Sequence, residues 1–170
     1  TRNALASRCT LHSRVRIIAA RAQSGHYLPD WRPQSDYRKS YSAQKNKGGV
    51  LLDCIQIFDC LRWFFGPAKE IFCFEQKRST LKIQSEDVAQ VQIKFQSGVL
   101  AQVHVDYVQR YQEKTIHIIG EEGSLIWQWT KRKVVLFDVS KKSWTEFPEP
   151  PHFDFNQTYI DEILHFFKSI

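Results

Sequence analysis

Four side chains in one segment of this 170-residue sequence have the chemistry to bind a small hydroxylated or acidic molecule. An aromatic ring stacks on the apolar face of a sugar ring, and a guanidinium binds a carboxylate or phosphate through paired hydrogen bonds. The segment supplies both kinds of group: Trp31, Arg32, Tyr37 and Arg38. The alternative is that this segment only packs the edge of a domain.

Two further pairs of polar residues are spaced so that their side chains share a surface. Asp53 and Gln56 lie one helical turn apart, and either side chain can hydrogen-bond a ligand hydroxyl. A helix-capping role for Asp53 and a satisfied buried amide for Gln56 are the alternatives. His104 and Asp106 alternate along a strand pattern and therefore share one face. They could contact a ligand, although a polar ladder between strands is the favoured interpretation.

The elements that would position these residues follow from the hydrophobic pattern. Apolar residues spaced by three and four predict a helix over 49–65, ended by Gly66 and Pro67. Its predicted apolar stripe is Leu51, Leu52, Ile55, Phe58, Leu61 and Phe65. A second amphipathic helix is predicted over 156–170, with Asp154 or Asn156 as its N-cap.

Most of the remaining chain has strand character. The first strand is predicted within 13–24, with Val15, Ile17 and Ala19 on its buried face, and a long loop follows over 25–47. Further strands are predicted at 70–76, 87–95, 99–109, 114–120, 124–129, 133–138 and 143–147. The sequence therefore predicts an α+β fold: a large, mostly antiparallel, open-faced β-sheet with helices packed on one face.

Composition and charge exclude several classes of protein. No apolar run approaches the roughly 20 residues that span a bilayer, and no signal peptide is recognisable. The four cysteines, Cys9, Cys54, Cys60 and Cys73, lack zinc-ligand spacing, so we expect no metal site and reduced thiols in a cytoplasmic protein. Residues 1–50 hold ten Lys and Arg against two acids, but no recognition-helix pattern, so nucleic-acid binding is not favoured.

Seven motifs occur in an order that resembles a known family. They are Tyr27-Leu-Pro-Asp-Trp-Arg-Pro with Asp36-Tyr-Arg; Gly48-Gly49 leading to Asp59-x-x-Arg-Trp-x-x-Gly; Glu86-Asp87; Ser97-Gly98; His104-Val-Asp-Tyr-Val-Gln-Arg110; Ile119-Gly-Glu-Glu-Gly123; and Asn156-x-x-Tyr-x-x-Glu-x-x-x-Phe166. Together they resemble the C-terminal domain of the Gfo/Idh/MocA oxidoreductases. The resemblance assigns residues 14–170 to this domain and leaves 1–13 as an irregular N-terminal segment.

The resemblance implies a domain that binds substrate and forms oligomers through its sheet, while a preceding Rossmann domain binds NAD(P) and supplies a catalytic lysine. This sequence has no Gly-x-Gly-x-x-Gly after a strand, so we expect no cofactor site in it. Where the family has a catalytic histidine followed by an acid, this chain has Gln56 and Ile57. Because glutamine does not titrate, the expected site is degenerate and has no catalytic residue.

Three functional hypotheses follow. The first is a stand-alone, non-catalytic derivative of the substrate and oligomerisation domain, a homodimer paired through the open sheet that binds a sugar-like or acidic molecule. The second is one half of a split NAD(P)-dependent sugar or polyol oxidoreductase that needs a separate Rossmann subunit. The third is an interaction module from a captured gene fragment.

Overall fold

A computed structural model describes residues 16–169 of the chain. The predicted N-terminal segment 1–13, the beginning of the first predicted strand and Ile170 lie outside the described residues. The strands are β1 (Ile17–Gly25), β2 (Ala68–Gln76), β3 (Val88–Phe95), β4 (Leu100–Asp106), β5 (Glu113–Gly120), β6 (Gly123–Gln128), β7 (Lys133–Asp138) and β8 (Ser143–Pro148). The helices are α1 (Leu28–Trp31), α2 (Val50–Asp53), α3 (Ile55–Phe65) and α4 (Phe155–Lys168), with short 3₁₀ turns at Tyr37–Lys39 and Tyr41–Ala43.

All eight described strands form one sheet in the order β2-β3-β4-β1-β5-β6-β7-β8. Neighbouring strands are antiparallel except for β1 and β4, which are parallel. The first strand in the sequence therefore lies in the middle of the sheet, between two antiparallel blocks. The predicted α+β class is confirmed, and β3–β4, β5–β6 and β7–β8 are antiparallel hairpins.

Strict alternation of apolar and polar side chains gives the sheet two different faces. In β3, Ala89, Val91 and Ile93 are buried, whereas Gln90 and Gln92 between them are exposed. The buried face of β3 and β4 continues into β1 and packs against α2 and α3. The opposite face, called here the open face, has no helix from the same core cluster over it. This arrangement follows directly from the period of two along a strand.

The predicted helix over 49–65 is two helices, because the backbone leaves the helical conformation at Cys54 (φ −99°, ψ 16°). Its buried stripe contains Val50, Cys54, Ile57, Leu61 and Phe65. Leu52 and Ile55, predicted to be in the core, are 56% and 52% exposed. The predicted stripe and the observed stripe both have spacings of three and four, because this segment is apolar around most of its circumference. The period of the sequence alone therefore could not identify which stripe is buried. The stop at Gly66 (φ 83°) is confirmed.

The first strand also differs from its predicted pattern. An irregularity in pairing between Ile17 and Ala19 reverses the alternation, so that Ala20 and Ala22 are the buried residues. Ile17 and Ala19 are only half-buried. The predicted loop over 25–47 contains α1 and the two 3₁₀ turns, elements too short to produce a detectable period in the sequence.

The last helix begins as predicted, with the Asp154 carboxylate accepting the backbone N–H of Asn156 at 2.9 Å. Its apolar residues are each more than 40% exposed: Phe155, Tyr159, Ile160, Ile163, Leu164, Phe166 and Phe167. Unlike α2 and α3, this helix contributes no buried residue to the core. None of the described helices has the length and hydropathy needed to cross a membrane.

Candidate functional site

Asp53 is held in place by two hydroxyl groups from different parts of the fold. Its Oδ2 accepts hydrogen bonds from Ser42 Oγ at 2.7 Å and from the Tyr107 hydroxyl at 2.6 Å. Tyr107 is fully buried at the end of β4. Burial, and then the hydrogen bond to Asp53, raise the pKa of Tyr107, so this hydroxyl stays a proton donor. The carboxylate thus links α2 to the sheet, and the N-cap of α2 is Gly49 instead.

A cavity of about 220 Å³ lies beside Asp53. It is formed where the end of β1, helix α1, the junction of α2 with α3, and the beginning of β5 meet. The lining residues are Ser24, Gly25, His26, Trp31, Asp53, Cys54, Gln56, Gln112, Glu113 and Lys114. Three of the residues proposed from the sequence, Trp31, Asp53 and Gln56, are therefore brought together here. Gln56 is exposed and is not the satisfied buried amide considered as an alternative.

Trp31 forms an aromatic wall of the cavity. Its indole packs edge-on against Tyr107, with ring centroids 5.4 Å apart and an interplanar angle of 86°, and lies 5.9 Å from the His26 ring. The Trp31 Nε1–H is buried and has no hydrogen-bond partner among residues 16–169. Partial burial lowers the pKa of His26, and nearby Asp30 offsets this only in part, so the imidazole is neutral at pH 7.

Lys114 and Cys54 are cavity residues that the sequence analysis did not single out. Lys114 pairs with Ser24 across β1 and β5, so it shares the helix-covered face with buried Ile116. Burial raises the pKa of the Cys54 thiol, despite the opposing influence of Ser24 and Lys114, and a protonated thiol is a poor nucleophile. The pairing of distant strands brings these residues to the cavity, and no local sequence pattern signals it.

The other three aromatic and basic candidates lie outside the cavity lining. Exposed Arg38 binds half-buried Asp36 through two hydrogen bonds of 2.7 and 2.9 Å, and this pairing lowers the pKa of Asp36. The Tyr37 hydroxyl accepts the backbone N–H of Lys82 at 3.3 Å. Arg32 is exposed. The contacts of Arg38 and Tyr37 therefore stabilise the 25–47 segment.

His104 and Asp106 lie on the open face, on the other side of the sheet from the cavity. His104 Nε2 is 3.1 Å from Asp106 Oδ2, along one strand and not across two strands. Buried Asp106 also accepts the backbone N–H groups of Val108 and Gln109 at 2.8 and 2.6 Å. Burial alone would raise the pKa of Asp106, but these hydrogen bonds together lower it.

A metal ion needs several converging ligand side chains, and a dinucleotide needs an open glycine-rich turn before a helix. No group of three or more His, Cys, Asp or Glu side chains converges within residues 16–169. The single glycine pair, Gly48-Gly49, precedes α2, where the Glu86 carboxylate accepts the N–H of Leu51 at 3.3 Å. An added Cβ at Gly49 would collide with that carboxylate. A side-chain anion therefore fills the place where a phosphate would bind, and the glycine pair does not fit a dinucleotide.

Solved structures similar to this fold are dehydrogenases and other oxidoreductases. A levoglucosan dehydrogenase in complex with NADH and L-sorbose has a TM-score of 0.79 at 19% identity, covering 98% of this chain and 52% of its own. An oxidoreductase from Agrobacterium radiobacter in complex with NAD+, L-tartaric acid and magnesium has a TM-score of 0.70 at 20% identity, covering 89% of this chain and 44% of its own. An inositol dehydrogenase homolog from Azotobacter vinelandii complexed with NAD+ has a TM-score of 0.67 at 15% identity, covering 85% and 39%.

These likenesses establish the fold, and this chain spans about half the length of the structures it resembles. No match was found among curated protein sequences. The model of the GFO/IDH/MocA C-terminal domain matches residues 16–126, which is more than half of the chain. The chain therefore belongs to the Gfo/Idh/MocA family, as its C-terminal domain.

Proposed function

We propose that this domain binds a small sugar-like or acidic molecule in the cavity beside Asp53 and Gln56 and does not itself transfer hydride. The observation that carries the proposal is the Tyr107–Asp53–Ser42 network, which fixes a carboxylate at the cavity wall. The aromatic wall of Trp31 adds a surface suited to a sugar ring. Two of the similar structures contain a sugar and a hydroxy acid, L-sorbose and L-tartaric acid, bound to those proteins.

The side chains at the cavity support the proposal that this domain does not itself transfer hydride. Gln56 can hydrogen-bond a hydroxyl but cannot accept its proton at neutral pH. Cys54 stays protonated because burial raises its pKa, and the glycine pair does not fit a dinucleotide. These observations support a domain that offers no dinucleotide site at Gly48-Gly49 and no titratable side chain at position 56.

We further propose a homodimer paired through the open face. This face presents exposed glutamines on its central strands, Gln90, Gln92 and Gln102, and no described helix from the core covers it. A sheet with one uncovered face is commonly wet or docked on a partner. We also propose a cytoplasmic location, supported by the free thiols of Cys54 and Cys73.

Ligand binding is tested by thermal shift and calorimetry with a panel of sugars, polyols and sugar acids, because a ligand of the folded state raises the unfolding midpoint. Asp53→Asn should weaken binding, whereas Asp161→Asn on α4, an exposed aspartate far from the cavity lining, should not. The same samples are titrated with NAD+ and NADP+. Micromolar or tighter nicotinamide binding by this chain, or no binding of any sugar, polyol or acid, would contradict the proposal.

A split oxidoreductase is the second candidate, and two observations favour it. His26 lines the cavity and is neutral at pH 7, so it could accept a proton that Gln56 cannot. Exposed Leu52 and Ile55 beside the cavity are apolar enough to contact a second polypeptide. This candidate predicts co-purification with a nucleotide-binding chain, and turnover in that complex that falls with His26→Gln and rises with Gln56→His. Unchanged turnover in both variants would exclude these residues as proton carriers.

A further inference from the structure

Strand β2 forms one edge of the described sheet, and no other described strand pairs with its outer side. We infer that this edge pairs with the same edge of a second copy of the chain, antiparallel and centred on Phe72, so that two sheets join into one. The inference goes beyond the proposed function and concerns a contact separate from the open-face dimer.

The first argument is that β2 lacks the protection that edge strands usually carry. Natural edges are kept short, or are interrupted by proline, by a bulge or by charged side chains. The opposite edge, β8, has six residues and ends in Pro148. Strand β2 has nine residues, its one pairing irregularity lies at its beginning, and its centre over 71–74 is Ile-Phe-Cys-Phe. A free backbone edge of this kind is a template for another strand.

The second argument is that β2 exposes apolar side chains on both faces of the sheet. Its pairing with β3 places Phe72 and Phe74 on the open face, and Ile71 and Cys73 on the helix-covered face. Ile71, Phe72 and Phe74 are 64%, 57% and 65% exposed. A partner lying on one face would cover only half of these side chains, whereas a strand added at the edge contacts both sets.

The third argument identifies the added strand as a second copy, because the charges of β2 are self-complementary. A two-fold axis perpendicular to the sheet at Phe72 places Lys69 opposite the partner's Glu75, and symmetry repeats this pair. Ile71 then lies opposite the partner's Cys73. Neither Lys69 nor Glu75 forms an ion pair within residues 16–169. Opposite charges and apolar groups facing each other across two strands both stabilise a sheet.

The neighbouring registers lack this complementarity. An axis at Ile71 leaves both Lys69 and Glu75 without a charged residue opposite. An axis at Cys73 places Lys69 opposite the partner's Lys77, and like charges facing each other destabilise strand pairing. The register centred on Phe72 is therefore the favoured one.

The size of the contact limits its strength. Contact along a single pair of strands belongs to the small interfaces, below about 1,200 Å², that form transient complexes. We expect a dissociation constant of about 0.1–1 mM. Dilute samples therefore report association through the open face alone, and concentrated samples are needed to detect pairing at β2.

Charge reversal tests the edge contact, with every chain also carrying Gln102→Arg to weaken association through the open face. Sedimentation equilibrium at about 1 mM should show dimers of this parent chain. Lys69→Glu or Glu75→Lys alone brings like charges together twice, so each should weaken self-association about tenfold. An equimolar mixture of the two reversed chains restores both pairs of opposite charges and should regain the parent affinity. Lys131→Glu, at the exposed turn after β6, is the control and should associate like the parent.

Ile71→Cys provides a second measurement, because the new thiol would lie opposite the partner's Cys73. Oxidation of concentrated samples should yield dimers whose disulfide joins position 71 of one chain to position 73 of the other, as identified by mass spectrometry. Circular dichroism verifies the fold of each variant.

Several results would overturn the inference: a monomeric parent chain at 1 mM, equal association of the parent and both reversed chains, or no gain on mixing. A disulfide joining position 73 to position 73, or open-ended polymers in place of dimers, would also contradict it. None of these results depends on ligand binding, so the proposed function is tested separately.

Discussion

The hydroxyl of Tyr107 donates a 2.6 Å hydrogen bond to the carboxylate of Asp53, and this bond joins the end of β4 to the end of α2. Trp31 packs edge-on against the same tyrosine ring. One buried side chain therefore supports both the polar and the aromatic walls of the cavity, so the stability of the fold and the shape of the cavity are coupled through it.

Tyr107→Phe should destabilise the fold by about 1–3 kcal/mol, because it removes one of the two hydroxyl donors to Asp53 and leaves that acceptor under-satisfied. Urea unfolding followed by circular dichroism measures the change. Tyr111→Phe is the control, since Tyr111 is 65% exposed and its substitution should change stability by less than about 0.5 kcal/mol. Equal effects of the two substitutions would show that the hydroxyl bond contributes little.

The raised pKa of Tyr107 predicts loss of stability at alkaline pH. In the unfolded chain this hydroxyl ionises near its ordinary value of 10.0, whereas the folded state keeps the proton to higher pH. The unfolded state therefore binds fewer protons above pH 10, and the free energy of unfolding falls as pH rises toward the folded pKa. Urea midpoints between pH 8 and about 11 should fall less steeply for Tyr107→Phe than for the unsubstituted chain. Parallel pH profiles would contradict the assignment.

His104→Ala should raise the pKa of Asp106, because it removes one of the hydrogen bonds that lower it. A carboxyl with a lowered folded pKa stabilises the fold above its unfolded pKa, and this contribution is lost as pH falls through the folded pKa. In the variant the loss should begin at a higher pH, as measured by NMR titration and acid unfolding. Ligand affinity at the cavity should be unaffected, since the pair lies on the open face.

Gly49→Ala should destabilise the chain by at least about 1 kcal/mol more than Gly98→Ala. Both glycines have positive φ, 126° and 89°, so both substitutions introduce backbone strain. Only Gly49 also faces an obstacle, the Glu86 carboxylate, whereas an added Cβ at Gly98 meets nothing within 4 Å. Thermal and urea unfolding of the two variants provide the comparison, and equal losses would show that Glu86 moves aside freely.

The proposed homodimer predicts that a cationic substitution on the open face weakens association. Gln102→Arg would place like charges near each other across a two-fold interface, so sedimentation should show a shift from a dimer of 20.0 kDa chains toward monomer. Gln96→Arg adds the same charge at an exposed turn and should leave the dimer intact. A monomeric unsubstituted chain would contradict the dimer itself.

The sequence predicted the sheet well because its signal is local and strict. In β3, buried Val91 and Ile93 alternate with exposed Gln92, as expected, and the helix stop at Gly66 follows from local chemistry. In α3 the burial of Leu61 and Phe65 was predicted correctly, but Ile55 was placed in the core in error, because Ile55 and Ile57 are equally apolar and only packing against the sheet selects Ile57.

The cavity was only partly predictable for a different reason. Asp53 and Gln56 were found together because their spacing is local, whereas Lys114 reaches them through the pairing of β1 with β5. No sequence pattern reports such a pairing between distant segments. Asp53, just before the break at Cys54, likewise contacts a distant segment through the Tyr107 hydroxyl, whereas Gln56 after the break is exposed.

The position of β1 between β4 and β5 affects the order in which the sheet and the cavity form during folding. Two antiparallel blocks, β2–β4 and β5–β8, can each assemble from neighbouring segments, but within the described sheet β1 is the strand whose hydrogen bonds connect one block to the other. Pairing between strands far apart in the sequence is slow, because the chain loses the entropy of loop closure before the strand contacts stabilise it. Since that strand also leads into His26 and Trp31, the cavity should be complete only after β1 has paired with both blocks.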